Sequence, residues 1–160
     1  MDLRIQSNFR NLIEMFFKQI TELGSLTIIL IAIFFSYFFD NALAIRLFAG
    51  VATVTIISFI IKAIFFRARP NKQPVNTLVE RLDASSFPSI HSARITVLAF
   101  WLIMYVNDII LKIFLGCIGV LVAYSRIYLK KHYLIDVIAG FMLAMIVNIL
   151  IYSIYIKVVW

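Results

Sequence analysis

The feature that most constrains this chain is the length of its apolar runs. Residues 25–39, 42–66, 89–105, 109–129 and 133–156 are apolar almost throughout and are separated by short polar breaks. A helix needs about 20 residues to cross the ~30 Å of a bilayer's hydrocarbon. In lipid every backbone N–H and C=O must be satisfied within the segment, which favours helices. The pattern therefore predicts an all-α integral membrane bundle of about five transmembrane helices, in one domain over residues 1–160. The first run, at 15 residues, is short for a span. Asp40-Asn41 and Asn107-Asp108 read as turns between neighbouring spans. Composition points the same way, with 63% hydrophobic residues, 14% charged residues and a mean hydropathy of +1.00. Soluble domains have roughly 45–50% apolar and ~25% charged residues. A soluble enzyme, a disordered tail and a secreted disulfide scaffold are all excluded. The single cysteine, Cys117, cannot form an intrachain disulfide.

Residues 1–23 differ from the rest. Asp2, Arg4, Arg10, Glu14, Lys18 and Glu22 are interleaved with Leu3, Phe9, Leu12, Ile13, Phe16, Phe17 and Ile20. The apolar set recurs at helical spacing, which predicts an amphipathic helix. Charges on one face and aromatic residues on the other suit a helix lying in the membrane interface. The spread of charge excludes a signal peptide, whose basic region precedes an unbroken apolar core. Residues 24–160 would form the bundle.

The net charge of +7 has a location. Counting turns puts Arg4, Arg10, Lys18, Lys62, Arg67, Arg69, Lys72, Arg81, Arg94, Arg126, Lys130 and Lys131 on one side of the membrane. Only Arg46, Lys112 and Lys157 fall on the other. Such a bias marks the cytoplasmic face of a multi-pass cell-membrane protein. A pI of about 9.8 on so apolar a chain indicates anionic lipid or phosphate as partner, and no nucleic acid. Tyr105, Tyr128, Tyr133 and Trp160 sit near span ends, as in interfacial aromatic belts. Arg46 and Lys62 are close enough to the ends of their span to snorkel. Residues 67–88 form the one long polar segment and hold all three prolines. A long loop in a compact protein is usually functional.

Ionisable residues beside membrane spans are costly and point to function. On the crowded side they form three groups: Lys62 with Arg69-Pro70, Pro88-Ser89-Ile90-His91, and Ser125-Arg126 with His132 and Asp136. His132 and Asp136 are four apart at a helix start, so they share a face. A carboxylate there can fix the imidazole tautomer and leave the other ring nitrogen as a nucleophile. Pro88 with Ser86 or Ser89 can open a helix whose free N–H groups suit a phosphate, and His91 lies in its first turn. Lys62, Arg69 and Arg126 are the residue types that hold phosphate oxygens. Taken singly, the first and third groups read more readily as snorkelled cations and a satisfied histidine, and the second reads as well as plain helix capping. Together they do not read that way. At ~5% usage per residue, the four fixed residues of the third group alone match by chance about once in 10⁵ starts.

The set Lys62–Pro70 (KAIFFRARP), PSIH at 88–91 and SRIYLKKHYLID at 125–136 resembles the signature of the type-2 phosphatidic acid phosphatase superfamily, related to vanadium haloperoxidases. That signature reads KX6RP, PSGH and SRX5HX3D. The resemblance implies that His132 attacks phosphorus to form a phosphohistidine, oriented by Asp136. It implies that His91 protonates the leaving oxygen and then activates water. Lys62, Arg69, Ser89 and Arg126 would hold the phosphate. Two departures stand out. Ile90 replaces the usual glycine, and the family often has six spans where this chain's surface helix stands in place of the first. The expected activity is metal-independent dephosphorylation of a membrane lipid phosphate, with no cofactor. Candidate substrates are phosphatidic acid, phosphatidylglycerol phosphate and an isoprenyl phosphate or diphosphate. Metal-assisted chemistry would need clustered carboxylates, and the motifs supply only Asp136. The family more often faces outward, against the charge bias. The competing class is a non-catalytic lipid-phosphate binder or small transporter. Transporters carry ionisable residues near the midplane, whereas here the span middles are apolar apart from Asn148.

Overall fold

The computed structural model describes residues 3–71 and 77–159, so Asp2, Lys72 and Trp160 lie outside the described residues. Among those described there are seven helices: α1 (Leu3–Glu22), α2 (Leu26–Phe39), α3 (Asn41–Ile64), α4 (Leu78–Ala84), α5 (Ile90–Tyr105), α6 (Ile109–Tyr128) and α7 (Leu134–Val159). An isolated antiparallel bridge between Ala68 and Ser85 stitches the polar segment to itself. The all-α bundle expected from the apolar runs is what forms.

The helix starts follow from local chemistry. Ser25, Asp40, Thr77, Ser89 and Asp108 each accept a backbone N–H from the first turn they precede. Asp40 ends α2 and begins α3 at once, which makes the expected turn one residue long. The segment 67–88, read as a loop, contains α4, held by a reciprocal capping box between Thr77 and Glu80.

α5 is the central helix, packed against α3, α6 and α7. Its Ala93, Val97 and Trp101 meet Leu47, Val51 and Val54 of α3 and Ala144 and Val147 of α7. The opposite faces of the outer helices carry exposed Phe34, Phe38, Phe48, Phe114 and Ile146, the surface that lipid would cover. Helices α3, α6 and α7 are long and apolar enough to cross a membrane. α5 has 16 residues and α2 has 14, or about 24 and 21 Å of helix. Residues 8–22 of α1 meet α2 at a bend of 48°.

The apolar stripe of α1 divides between two neighbours. Phe17 stacks on Tyr128 and meets Tyr124 edge-on, at centroid distances of 4.3 and 5.6 Å, pinning α1 to α6. Phe9, Leu12, Met15 and Phe16 stay exposed. The helix, expected to lie in the interface or else to pack across the bundle, is thus both packed and exposed. At the far end of the bundle Arg46 lies over the rings of Trp101 and Tyr155, and its guanidinium is 3.8 Å from Asp40.

Candidate functional site

Helices α3 and α6 end, and α5 and α7 begin, at the same end of the bundle. Lys62 and Arg126 stand in the last turns of the first two, His91 and Asp136 in the first turns of the others. A cavity of about 150 Å³ lies among them. Lys62, Arg69, His91, Arg126 and His132 all line it, with Phe59, Leu82, Asp83, Ile90 and Arg94. Five of the seven residues singled out in the sequence are thereby brought together. Ser89 and Asp136 are fully buried and are not part of its lining.

His132 owes its place to the way α6 ends. Lys130 turns the chain through the left-handed region at φ 53°. The N–H groups of Lys131 and His132 then both return to the Arg126 carbonyl, at 3.0 and 3.1 Å. This closes the helix as an αL terminus does and sets the imidazole beside the guanidinium. His132 Nδ1 lies 2.7 Å from the Ser86 carbonyl oxygen, so the proton sits on Nδ1 and Nε2 keeps its lone pair. Burial, then Arg126, Arg69 and Lys62, push its pKa down from 6.5 to about 2, against a smaller upward pull from the Ser86 carbonyl. Burial and the neighbouring cations thus favour the neutral imidazole.

The spacing of His132 and Asp136 predicts a pair on one helix face. The structure differs. His132 precedes α7, and its Nδ1 is 3.9 Å from Asp136 Oδ2, beyond hydrogen-bond reach. Asp136 serves other groups. Oδ1 accepts from Arg67 at 2.9 Å, and Oδ2 accepts the Tyr133 N–H at 2.8 Å. Its backbone carbonyl accepts the Ser89 N–H at 2.9 Å, which ties α7 to the start of α5. Arg67 also lies over the Tyr133 ring at 4.7 Å. In the sequence Arg67 is one of several basic residues of the loop, and no spacing ties it to Asp136.

Ser89 is the cap of α5. Its hydroxyl accepts from the Ser92 N–H at 3.4 Å and the Ser92 hydroxyl at 2.9 Å. Ser86, the other capping candidate, instead gives its carbonyl to His132. Lys62 is 2% exposed, and its ammonium donates to the Ser85 carbonyl. Arg94 donates through Nε to Thr55 at 3.0 Å. Burial pulls Arg69 below the usual guanidinium range and Asp83 pulls it back. Asp83 is thus the carboxylate on the cavity wall, in the place where the motifs offered Asp136. No spacing in the sequence distinguishes Asp83 or Arg94.

Arg126 donates through Nη1 to Thr21 Oγ1 at 2.8 Å, across 105 residues of chain. The Nε groups of Arg69 and Arg126 are buried with no hydrogen-bond partner among the described residues. Buried donors in folded proteins are nearly always paired. Both arginines line one small cavity that Lys62 also lines, and that concentration of positive charge suits an anion. The cavity shares Arg69 and Arg126 with a cleft of about 1110 Å³. Its walls include Arg10, Glu14 and Lys18 of α1 and Lys130 and Lys131 beyond α6. One side of the site thus offers room and charge for a headgroup.

A model of the PAP2 superfamily matches residues 25–160. The chain is 30% identical over 107 residues to undecaprenyl-diphosphatase BcrC of Bacillus subtilis (strain 168), an alignment covering 65% of this chain. The chain spans about half, 54%, of that relative's length. Its fold is similar to the crystal structure of Aquifex aeolicus LpxE, with a TM-score of 0.76 and 25% identity over 89% of this chain and 86% of that one. It is also similar to a PAP2-type phosphatidylglycerolphosphate phosphatase from Bacillus subtilis, with a TM-score of 0.73 and 25% identity over 91% and 77% of the two chains.

Proposed function

Because the chain belongs to the PAP2 superfamily, we propose that it is a membrane-embedded phosphatase acting on a phosphorylated lipid without a metal ion. The observation that carries this reading is the small cavity on which Lys62, Arg69 and Arg126 converge with His91 and His132. The named activities of the relatives support a lipid phosphate as substrate.

In this mechanism the phosphate enters with its oxygens facing Lys62, Arg69 and Arg126. These cations offset the negative charge that concentrates on the equatorial oxygens in the transition state. His132 Nε2 attacks phosphorus in line with the leaving oxygen. The P–O bond breaks as His91 gives that oxygen a proton. His91, now neutral, takes a proton from water. The resulting hydroxide displaces His132 from phosphorus and orthophosphate leaves. His132 keeps its Nδ1 proton on Ser86 throughout, so the ring leaves the phosphoryl group as a neutral imidazole. Asp136 acts through structure: it fixes Tyr133 and the start of α5, and with them the approach of His132 and His91. Ser89 contributes by holding the first turn of α5, whose N–H groups lie near the phosphate site. Ile90 puts a branched side chain on the cavity wall where the family usually has glycine, which narrows the site on that side.

The test is phosphate release from a panel of lipid phosphates by detergent-purified protein in excess EDTA. Release from at least one member is expected. No release from any, or release only after a divalent metal is added, overturns the reading. The lipid tail would lie along the bundle with its phosphate at the basic end. Setting aside Lys62, Arg69 and Arg126 as phosphate ligands leaves nine cations on this side against three on the other. That excess leads us to assign the site to the cytoplasmic face. A C-terminal alkaline phosphatase fusion should then be active, because α7 carries its C-terminus to the opposite end; an inactive fusion reverses the assignment.

The protonation state of His132 is open to direct measurement. The chain has only two histidines, so ring-labelled protein gives two resonances, assigned through His91→Gln. His132 should show no titration between about pH 5 and 8, where an unperturbed imidazole, pKa about 6.5, would titrate. Its folded pKa lies below its unfolded one, so below about 6.5 the unfolded chain binds the extra proton and stability falls as the pH drops. An inflection near 6.5 would remove the neutral nucleophile from the argument.

A further inference from the structure

We propose that the elbow between α1 and α2 is a positioning device for the site: Thr21 aims the Arg126 guanidinium, and Gly24 gives His91 the room to hold its place. The inference rests on the phosphatase reading above, but adds residues outside the segment that matches the family, which begins at residue 25.

Thr21 is 6% exposed and accepts from Arg126 Nη1 at 2.8 Å. A guanidinium is planar, so fixing one terminal nitrogen restricts the direction of the other donors. The Nε of the same group is buried, with no hydrogen-bond partner among the described residues. The bond can form only because α1 is held against α6, which the Phe17 contacts with Tyr124 and Tyr128 secure. Three residues on, the chain passes close to the second imidazole. A Cβ on Gly24 would stand 3.3 Å from both Cβ and Cδ2 of His91 and 3.0 Å from Val122 Cγ1. Both contacts are tighter than ordinary packing, so a side chain at residue 24 would require Val122 and His91 to give way by a few tenths of an ångström. The turn itself is fixed by Gly24 N–H to the Thr21 carbonyl at 3.1 Å and Ser25 N–H to the Glu22 carbonyl at 2.8 Å. One rigid elbow therefore touches a phosphate-holding arginine and the proposed proton donor.

The experiment uses the full chain in detergent with two readouts: turnover of the best lipid phosphate, and affinity for orthovanadate as a phosphate mimic, measured by calorimetry. Thr21→Val keeps the shape and removes the acceptor. It should lower kcat/KM and vanadate affinity by about tenfold, the scale of one charge-assisted hydrogen bond. Thr21→Ser should restore most of both. In an Arg126→Lys background, Thr21→Val should have no further effect, because the bond it removes is already gone. Gly24→Ala should lower kcat severalfold while leaving KM nearly unchanged, as expected for a displaced proton donor. Wild-type behaviour of Thr21→Val in both readouts overturns the role of Thr21, as does an equal loss in the Arg126→Lys background. Full kcat in Gly24→Ala overturns that of Gly24. Wild-type protein that binds vanadate but releases no phosphate from any lipid defeats the phosphatase reading, while the vanadate affinities still decide the role of Thr21.

Discussion

Replacing His132 with alanine should abolish phosphate release, by about 10⁴-fold or more, because it removes the atom that bonds to phosphorus. The ring is 3% exposed and faces a cavity already present, so the variant should keep its fold in detergent. Substrate choice separates the two histidines. An aryl phosphate with an acidic leaving group needs little help from a proton donor. His91→Ala should therefore retain much of its activity on such a substrate while losing most of it on a lipid phosphate. His132→Ala should fail on both. Quenching wild-type turnover in alkali should trap a phosphoryl group on the protein that acid then releases, as expected for a phosphorus–nitrogen bond. Equal activity in His132→Ala and wild type would remove the nucleophile from the mechanism.

The largest structural effect is expected at Gly140 in α7. A Cβ there would lie 2.4 Å from the backbone carbonyl oxygen of Ser89 and 3.3 Å from the Ala93 nitrogen. Backbone cannot swing aside as a side chain can. Gly140→Ala must push α5 away from α7 at the point where the Asp136 carbonyl holds the Ser89 N–H. Overpacking of this kind costs about 3 kcal/mol. Here it also displaces His91, two residues beyond Ser89, so kcat/KM should fall by about a hundredfold. The control is Gly116→Ala in α6, where nothing lies within 4 Å of the new methyl group. That change should leave activity unaltered and stability within about 0.5 kcal/mol. A Gly140→Ala protein with wild-type melting and turnover would show that the α5–α7 contact is looser than its geometry implies.

Much of the molecule was legible in advance for a simple reason. The free energy of placing a helix in lipid depends on local composition summed along a run, so the apolar helices, the turns and amphipathic residues 1–23 can be read locally, although of the five expected spans only α3, α6 and α7 are by themselves long and apolar enough to cross a membrane. Ser25, Asp40 and Asp108 cap their helices through neighbours three residues away, and that too is local. The candidate site was legible through spacing, because Lys62, Arg69, His91, Arg126 and His132 sit at span ends that emerge on one face.

Partners across long separations were not legible. Nothing near Arg67 predicts Asp136, 69 residues away, and nothing near Arg126 predicts Thr21. The i, i+4 spacing of His132 and Asp136 does bring the two side chains to 3.9 Å, but the hydrogen bond on Nδ1 goes to Ser86 instead. That spacing rule holds within a helix, and His132 lies just before one. The backbone carbonyl that takes its place, from Ser86, has no side-chain identity to read. Asp83 and Arg94 reach the cavity because α4 and α5 pack where they do.

The sequence by itself thus determined the solvent, the class of fold and the five side chains that converge on the cavity. Each of these follows from residue type and short-range period. The tertiary structure alone decided which group orients which. A hydrogen bond needs atoms within about 3 Å, and in this chain those distances are set by how α1, α5 and α7 come to rest against their neighbours.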